Sequence, residues 1–155
     1  MSFKPRPRVL YVDDDEDTRD MLRMLLRFSR IEAKAVATAA QALSLIQAER
    51  FDLYVLDSRL PDLDGFELCR RMRAFDPLMP ILFFSGAAYE ADKKRGIKAG
   101  ANAYVIKPDL AGLVGSIKQF VSHAKSATAQ VIPAGREVNI SRPFTFEIAR
   151  PSYVG

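Results

Sequence analysis

Five short apolar runs, Val9–Val12, Ile31–Val36, Leu53–Leu56, Ile81–Phe84 and Ala103–Ile106, alternate along the chain with stretches of helical spacing. Nothing else in the sequence narrows the choice of fold as far. Four of the runs are continuously apolar, as strands covered on both faces are, while Ile31–Val36 alternates apolar and polar like an edge strand. The stretches between them read as helices. Asp15–Phe28 carries Met21, Leu22, Leu25, Leu26 and Phe28 at helical intervals, and Ala39–Ala48 puts Ala42, Leu45 and Ile46 on one face behind a Thr38 N-cap. Phe66–Met72 returns to the same spacing after the breaker-rich Leu60–Gly65. Tyr89–Ala99 is helical but holds Gly96, which costs about 1 kcal/mol against alanine, and Gly100 supplies its stop. Leu110–Ala124 is the last helix, through Leu113, Ile117, Phe120 and Val121. A helix between successive strands makes a right-handed crossover, and crossovers to both sides cover both faces of a parallel sheet. The expected fold is therefore α/β, a doubly wound five-stranded parallel sheet.

A chain of 155 residues with 48% hydrophobic content is sized for one core. Residues 1–7 read as an N-terminal extension, 8–125 as the folded domain and 126–155 as a C-terminal tail. Pro133, Pro143 and Pro151 interrupt the tail, leaving Val138–Ile140 and Phe144–Ile148 as short stretches suited to contacts between chains or with a partner. The single cysteine, Cys69, excludes an internal disulfide, and a reducing cytoplasm is the expected location. The apolar run after Lys4, Arg6 and Arg8 is too short for a signal-peptide core, and no membrane span is expected. A net charge of +4 permits an anionic partner, but the basic residues spread over helices with no aromatic interleaving. With a tail too short for a helix-turn-helix, the expectation is no nucleic-acid-binding domain.

Ligands of open parallel sheets bind beyond the carboxyl ends of the strands, where the winding reverses. There this sequence places its polar residues. The first run ends in Asp13-Asp14, the third in Asp57, the fourth in Ser85 and the fifth in Lys107. One strand-end aspartate is usually a helix cap or a surface group, but four strand ends of this kind together describe a site. If the first and third strands are neighbours, three carboxylates repel each other in a small volume unless a cation joins them, and carboxylate with water suits Mg²⁺. The Ser85 hydroxyl and the Lys107 ammonium then suit the oxygens of a phosphoryl group. By contrast, Cys69 lies on an apolar helix face, where packing explains it.

From Arg8 to His123 these residues resemble the receiver domains of response regulators. The resemblance implies a flavodoxin-like sheet of order 2-1-3-4-5. It implies Asp57 as phosphoacceptor and Asp13 and Asp14 as metal ligands, completed by Asp57 and the backbone carbonyl of Arg59. Ser85 and Lys107 match the family's hydroxyl and lysine, Asp64-Gly65 its turn after the acceptor, and Tyr104 its aromatic switch residue. Pro108 matches its proline after the lysine, joined through a cis bond. Two positions depart from the pattern: Asp109 stands where phenylalanine is common after the proline, and Gly86 where alanine is common after the hydroxyl.

The function implied is a stand-alone receiver, not an enzyme. A histidine kinase or a histidine phosphotransfer protein would supply the phosphoryl group in a Mg²⁺-dependent reaction, and phosphorylation would switch binding to a downstream protein, with a homodimer through the output face or the tail as a further possibility. Two other readings compete. A receiver fold used only for docking would need none of the site chemistry. A haloacid dehalogenase-type phosphatase would need an Asp-x-Asp-x-Thr or -Val nucleophile motif on the first strand, where this chain has Asp17 at the last position.

Overall fold

The computed structural model describes residues 4–131, with side chains through Ser122. Five strands and five helices alternate: β1 Arg8–Val12, α1 Glu16–Phe28, β2 Glu32–Val36, α2 Ala39–Ala48, β3 Leu53–Leu56, α3 Gly65–Phe75, β4 Ile81–Ser85, α4 Glu90–Ala99, β5 Ala103–Ile106 and α5 Leu110–Val131. The strands form one parallel sheet in the order β2-β1-β3-β4-β5. The chain thus reverses its sideways progress at β1, and β1 and β3 flank the switch point at which open parallel sheets bind ligands.

Alternation along each strand divides the core in two. Leu10, Val12, Tyr54, Leu56, Ile81, Phe83 and Tyr104 face α2, α3 and α4, meeting Ala42, Ile46, Phe66, Leu68, Cys69 and Met72. Val9, Tyr11, Leu53, Val55, Leu82, Phe84 and Val105 face α1 and α5 and pack on Leu22, Leu26, Leu113, Ile117 and Phe120. Because successive side chains of a strand point to opposite faces, continuous apolar runs serve both layers at once. β2 lies at the edge, with Glu32 and Lys34 exposed.

Capping fixes where the helices begin. Asp15 caps α1 by accepting from the Thr18 amide at 2.9 Å. At α2, Thr38 is the N-cap expected from the sequence, and with Gln41 it closes a reciprocal capping box. A second carboxylate reinforces that terminus from a distance: Asp62, on the loop after β3, accepts from the amides of Ala39 and Ala40 at 3.0 and 2.9 Å. Asp109, the residue that departs from the family pattern, accepts from the Gly112 amide at 2.8 Å and so opens α5. α4 stops at Gly100, whose φ of 116° lies in the left-handed region that glycine adopts without strain.

α5 continues to Val131, beyond the Ala124 end and the Lys125 domain boundary read from the sequence. No breaker stands between Ala124 and Pro133, so the backbone has no reason to leave the helix. The stretches Val138–Ile140 and Phe144–Ile148, and the tail's role in contacts, lie outside the described residues. Among the described residues no helix is long and apolar enough to cross a membrane.

Candidate functional site

Every site residue at a strand end has its backbone held by a neighbouring strand. The Asp13 amide donates to the Val36 carbonyl at 3.0 Å, the Asp57 amide to Val12 at 2.9 Å, and the Lys107 amide to Ser85 at 2.9 Å. The sheet ladder therefore runs one residue past β1, β3 and β5. This places the carboxylates of Asp13, Asp14 and Asp57 with ligand atoms all within 4.8 Å of one another. Asp13 is fully buried, Asp57 is 7% exposed and Asp14 is exposed, so the cluster has a wet side.

Lys107 reaches into the cluster from β5. Its Nζ lies 2.7 Å from Asp13 Oδ2 and 3.2 Å from Asp57 Oδ2. Burial favours its neutral form, but the hydrogen bond to Asp13 and the charges of Asp57 and Asp13 outweigh that and raise its pKa. For Asp57, burial raises the pKa, Lys107 works against it and the like charge of Asp13 adds to it. The bond between Lys107 and Pro108 is cis.

Asp13 is immobilised on every side. It accepts from the Tyr11 hydroxyl and, at 2.9 Å, from the Asp15 amide, while its carbonyl accepts from Arg19 at 2.8 Å. Burial and the bond to Asp13 push the Tyr11 phenol far up, so it stays a donor. Arg59 is exposed, and its amide points at Asp57 Oδ1 from 3.5 Å.

Gly65 lies against the backbone of Asp57 and Ser58. Its amide donates to the Ser58 carbonyl at 2.9 Å, and a Cβ there would stand 2.1 Å from the Asp57 carbonyl oxygen and 2.7 Å from Ser58 Cα. Space, with an ordinary backbone, is what this position demands. Gly86 is the opposite case, with nothing within 4 Å of an added Cβ.

On the other side of Asp57, buried hydroxyls gather. Ser58 Oγ and Ser85 Oγ lie 2.6 Å apart, and Ser85 Oγ also accepts from the Ala87 amide at 3.1 Å. Tyr104 is fully buried, stacks on Phe83 with ring centroids 5.5 Å apart, and donates to the Ala87 carbonyl at 2.7 Å. Burial raises the Tyr104 phenol, against which the adjacent Ser85 and Ser58 hydroxyls act. Gly96, which reads from the sequence only as a weak point of α4, makes room for this ring: an added Cβ would meet Tyr104 Cδ2 at 2.8 Å.

The structure thus gathers Asp13, Asp14, Asp57 and Lys107 into one cluster and sets Ser85 and Tyr104 beside it. Sequence reasoning did not single out Tyr11, Arg19, Ser58 or the packing role of Gly65. Tyr11, like Tyr54 and Tyr104, puts a polar atom inside an otherwise apolar run, so nothing in the sequence set it apart; Arg19 and Gly65 act on residues six to eight positions away through the folding of one strand-helix junction, and Ser58 meets Ser85 from 27 residues away.

Carboxylates, a hydroxyl and a lysine on the lip of a doubly wound sheet, at its switch point, define the class of protein. The sequence matches the response regulator receiver domain over residues 9–118, and the chain belongs to that family of two-component signalling proteins, in which accepting a phosphoryl group is the general role. The chain is 36% identical over 139 residues to the transcriptional regulatory protein PrrA of Mycobacterium tuberculosis, covering 86% of this chain and 60% of that one. It is 32% identical over 146 residues to the response regulator MprA of Mycobacterium leprae, covering 92% and 64%. Among solved structures, a CheY-like receiver domain protein of Methanospirillum hungatei aligns with a TM-score of 0.75 at 31% identity, covering 79% of this chain and 99% of that one.

The chain spans 60–64% of the length of these two relatives. That corrects the expectation of a partner set without nucleic acid. The exclusion rested on the short tail, whereas a relative named as a transcriptional regulator is matched over most of this chain by little more than half of its own length. The brevity of 126–155 therefore says nothing against a nucleic-acid output, nor for a stand-alone protein.

Proposed function

We propose that this domain takes a phosphoryl group on Asp57 from a phosphohistidine of a histidine kinase or phosphotransfer protein, in a Mg²⁺-dependent reaction, and that the modified domain changes its affinity for a downstream protein. The observation that carries the reading is the trio of carboxylates within 4.8 Å of one another, with Lys107 touching two of them. Asp13, Asp14 and Asp57, with the Arg59 carbonyl, would hold the cation. The donor set fits: all oxygens, one exposed carboxylate on the wet side, and more negative charge than one lysine neutralises. Bound there, the cation supplies positive charge against the incoming phosphoryl oxygens.

The rest falls to the chain. An Asp57 carboxylate oxygen forms the new bond to phosphorus as the donor's nitrogen–phosphorus bond breaks, and the electron pair leaves on the imidazole. Positioning and charge neutralisation account for such transfers. The sheet holds Asp57 in place, Tyr11 and the Asp15 amide occupy Asp13, and Lys107 and Ser85 offer an ammonium and a hydroxyl to the phosphoryl oxygens. Tyr104, joined to Ser85 through Ala87 and the hydroxyl cluster, is the side chain through which a change at the site reaches the surface of α4 and β5.

Incubation with acetyl phosphate and Mg²⁺, followed by intact-mass measurement, tests this. Wild type should gain one phosphoryl mass that chelation prevents, and Asp57→Asn should gain none. A gain of the same stoichiometry in Asp57→Asn would refute the assignment, and no gain in wild type would favour a domain used only for docking.

A further inference from the structure

We propose that Ser58 is a positioning residue for the phosphoryl site, donating its hydroxyl proton to Ser85 Oγ so that the Ser85 proton is directed at a phosphoryl oxygen. The inference rests on the proposed function and assigns a role to the residue directly after the acceptor.

Two observations carry it. Ser58 Oγ and Ser85 Oγ are 2.6 Å apart, and the residues are 4% and 1% exposed, so solvent does not supply their partners. Ser85 Oγ also accepts from the Ala87 amide at 3.1 Å. A hydroxyl has one proton to give and two acceptor lobes. One lobe of Ser85 is taken by Ala87. If Ser85 gave its proton to Ser58, it would have none for a phosphoryl oxygen. If Ser58 gives its proton to Ser85, both acceptor lobes are filled and the remaining Ser85 proton is confined to the third direction.

Two acceptors could take that proton. The Tyr104 phenol oxygen stands within reach of both serines, its own proton engaged by the Ala87 carbonyl at 2.7 Å. A phosphoryl group on Asp57 is the second acceptor. Turning the Ser85 hydroxyl from Tyr104 to the phosphoryl group, its proton kept on Oγ, alters the support of the ring without breaking the Ser58 bond. Chains of hydroxyls polarise one another, so donation into Ser85 also strengthens what Ser85 donates. A preorganised donor avoids reorganisation when charge arrives.

Beryllofluoride, a phosphoryl mimic, binds such a carboxylate without turnover, and its affinity for the full-length chain in Mg²⁺ can be measured calorimetrically. Ser58→Ala should weaken beryllofluoride binding about three- to tenfold, the size of one hydrogen bond, while binding of Mg²⁺ alone stays as in wild type. In a Ser85→Ala background the same Ser58→Ala change should have no further effect, because its action runs through Ser85. Unchanged affinity in Ser58→Ala overturns the inference. So does an equal loss in both backgrounds, which would mark a packing role. If wild type binds no beryllofluoride in Mg²⁺, the proposed function falls and this inference with it, so the two failures are distinguishable.

Discussion

Alanine in place of Gly65 and alanine in place of Gly86 are the same chemical change with opposite expected outcomes. At Gly65 the added Cβ would lie 2.1 Å from the Asp57 carbonyl oxygen and 2.9 Å from the Ser58 carbonyl carbon, where real contacts stay beyond 3.0 Å. Both neighbours are backbone, so relief requires the start of α3 to retreat by roughly 1 Å from Asp57. That movement strains the bond from the Gly65 amide to the Ser58 carbonyl. Overpacking costs about 1–3 kcal/mol and a lost hydrogen bond about 1 kcal/mol, against at most about 1 kcal/mol gained in helix propensity. The expected net loss is about 1–3 kcal/mol. At Gly86 the Cβ meets nothing, so stability should stay within about 0.5 kcal/mol. In urea denaturation, Gly65→Ala should lower the midpoint by about 0.5–1.5 M, and Gly86→Ala should leave it in place. Acetyl phosphate labelling should slow in the first variant, because the acceptor's own carbonyl is what the Cβ displaces. An unchanged midpoint in Gly65→Ala, or equal losses in both variants, would refute the packing argument.

Three further outcomes follow from the same geometry. Burial raises the Asp57 carboxyl from its ordinary 3.8, so its ionisation costs the folded state stability above its folded pKa and nothing well below 3.8; Asp57→Asn should melt higher than wild type at pH 7, with the gain fading as pH falls through that range. A gain that persists at low pH would contradict it. Lys107→Ala removes the ammonium 2.7 Å from Asp13 and 3.2 Å from Asp57, and should tighten Mg²⁺ binding by removing a competing cation while slowing phosphorylation about a hundredfold; calorimetry showing weaker Mg²⁺ binding would count against it. Arg73 donates to the carbonyls of Gly100, Met79 and Pro77 and to Asn102, with burial pulling its pKa down, and Arg73→Met should cost about 2–4 kcal/mol in urea denaturation; a loss under about 0.5 kcal/mol would show that water replaces the guanidinium.

What the sequence made legible is what local pattern encodes. Apolar runs gave the strands, their polar terminal residues gave Asp13, Asp57, Ser85 and Lys107, and the Thr38 and Gly100 signals gave two helix ends. What it hid depends on distance in the chain. Asp62 caps a helix 23 residues before it, Arg73 ties α3 to the loop before β5 27 residues on, and Ser58 meets Ser85 across a strand boundary. Gly65 and Gly96 carry in sequence only their local meanings, a turn and a helix defect. Their use as clearance for the Asp57 carbonyl and the Tyr104 ring exists only once α3 and α4 are laid on the sheet.

The ladder bonds that fix the backbones of Asp13, Asp57 and Lys107 would also limit the strength of the proposed switch. With those backbones tied to neighbouring strands, the side chains freest to respond to a phosphoryl group on Asp57 would be the Ser58 and Ser85 hydroxyls and the Tyr104 ring. Rearrangements of one or two hydrogen bonds are worth about 1–3 kcal/mol. Such a difference moves a two-state equilibrium by about 5- to 150-fold and no further. If the domain switches as proposed, it would act as a biased balance: the unmodified chain would visit the signalling arrangement at a small steady level, and rest would be set by the affinity of whatever reads it.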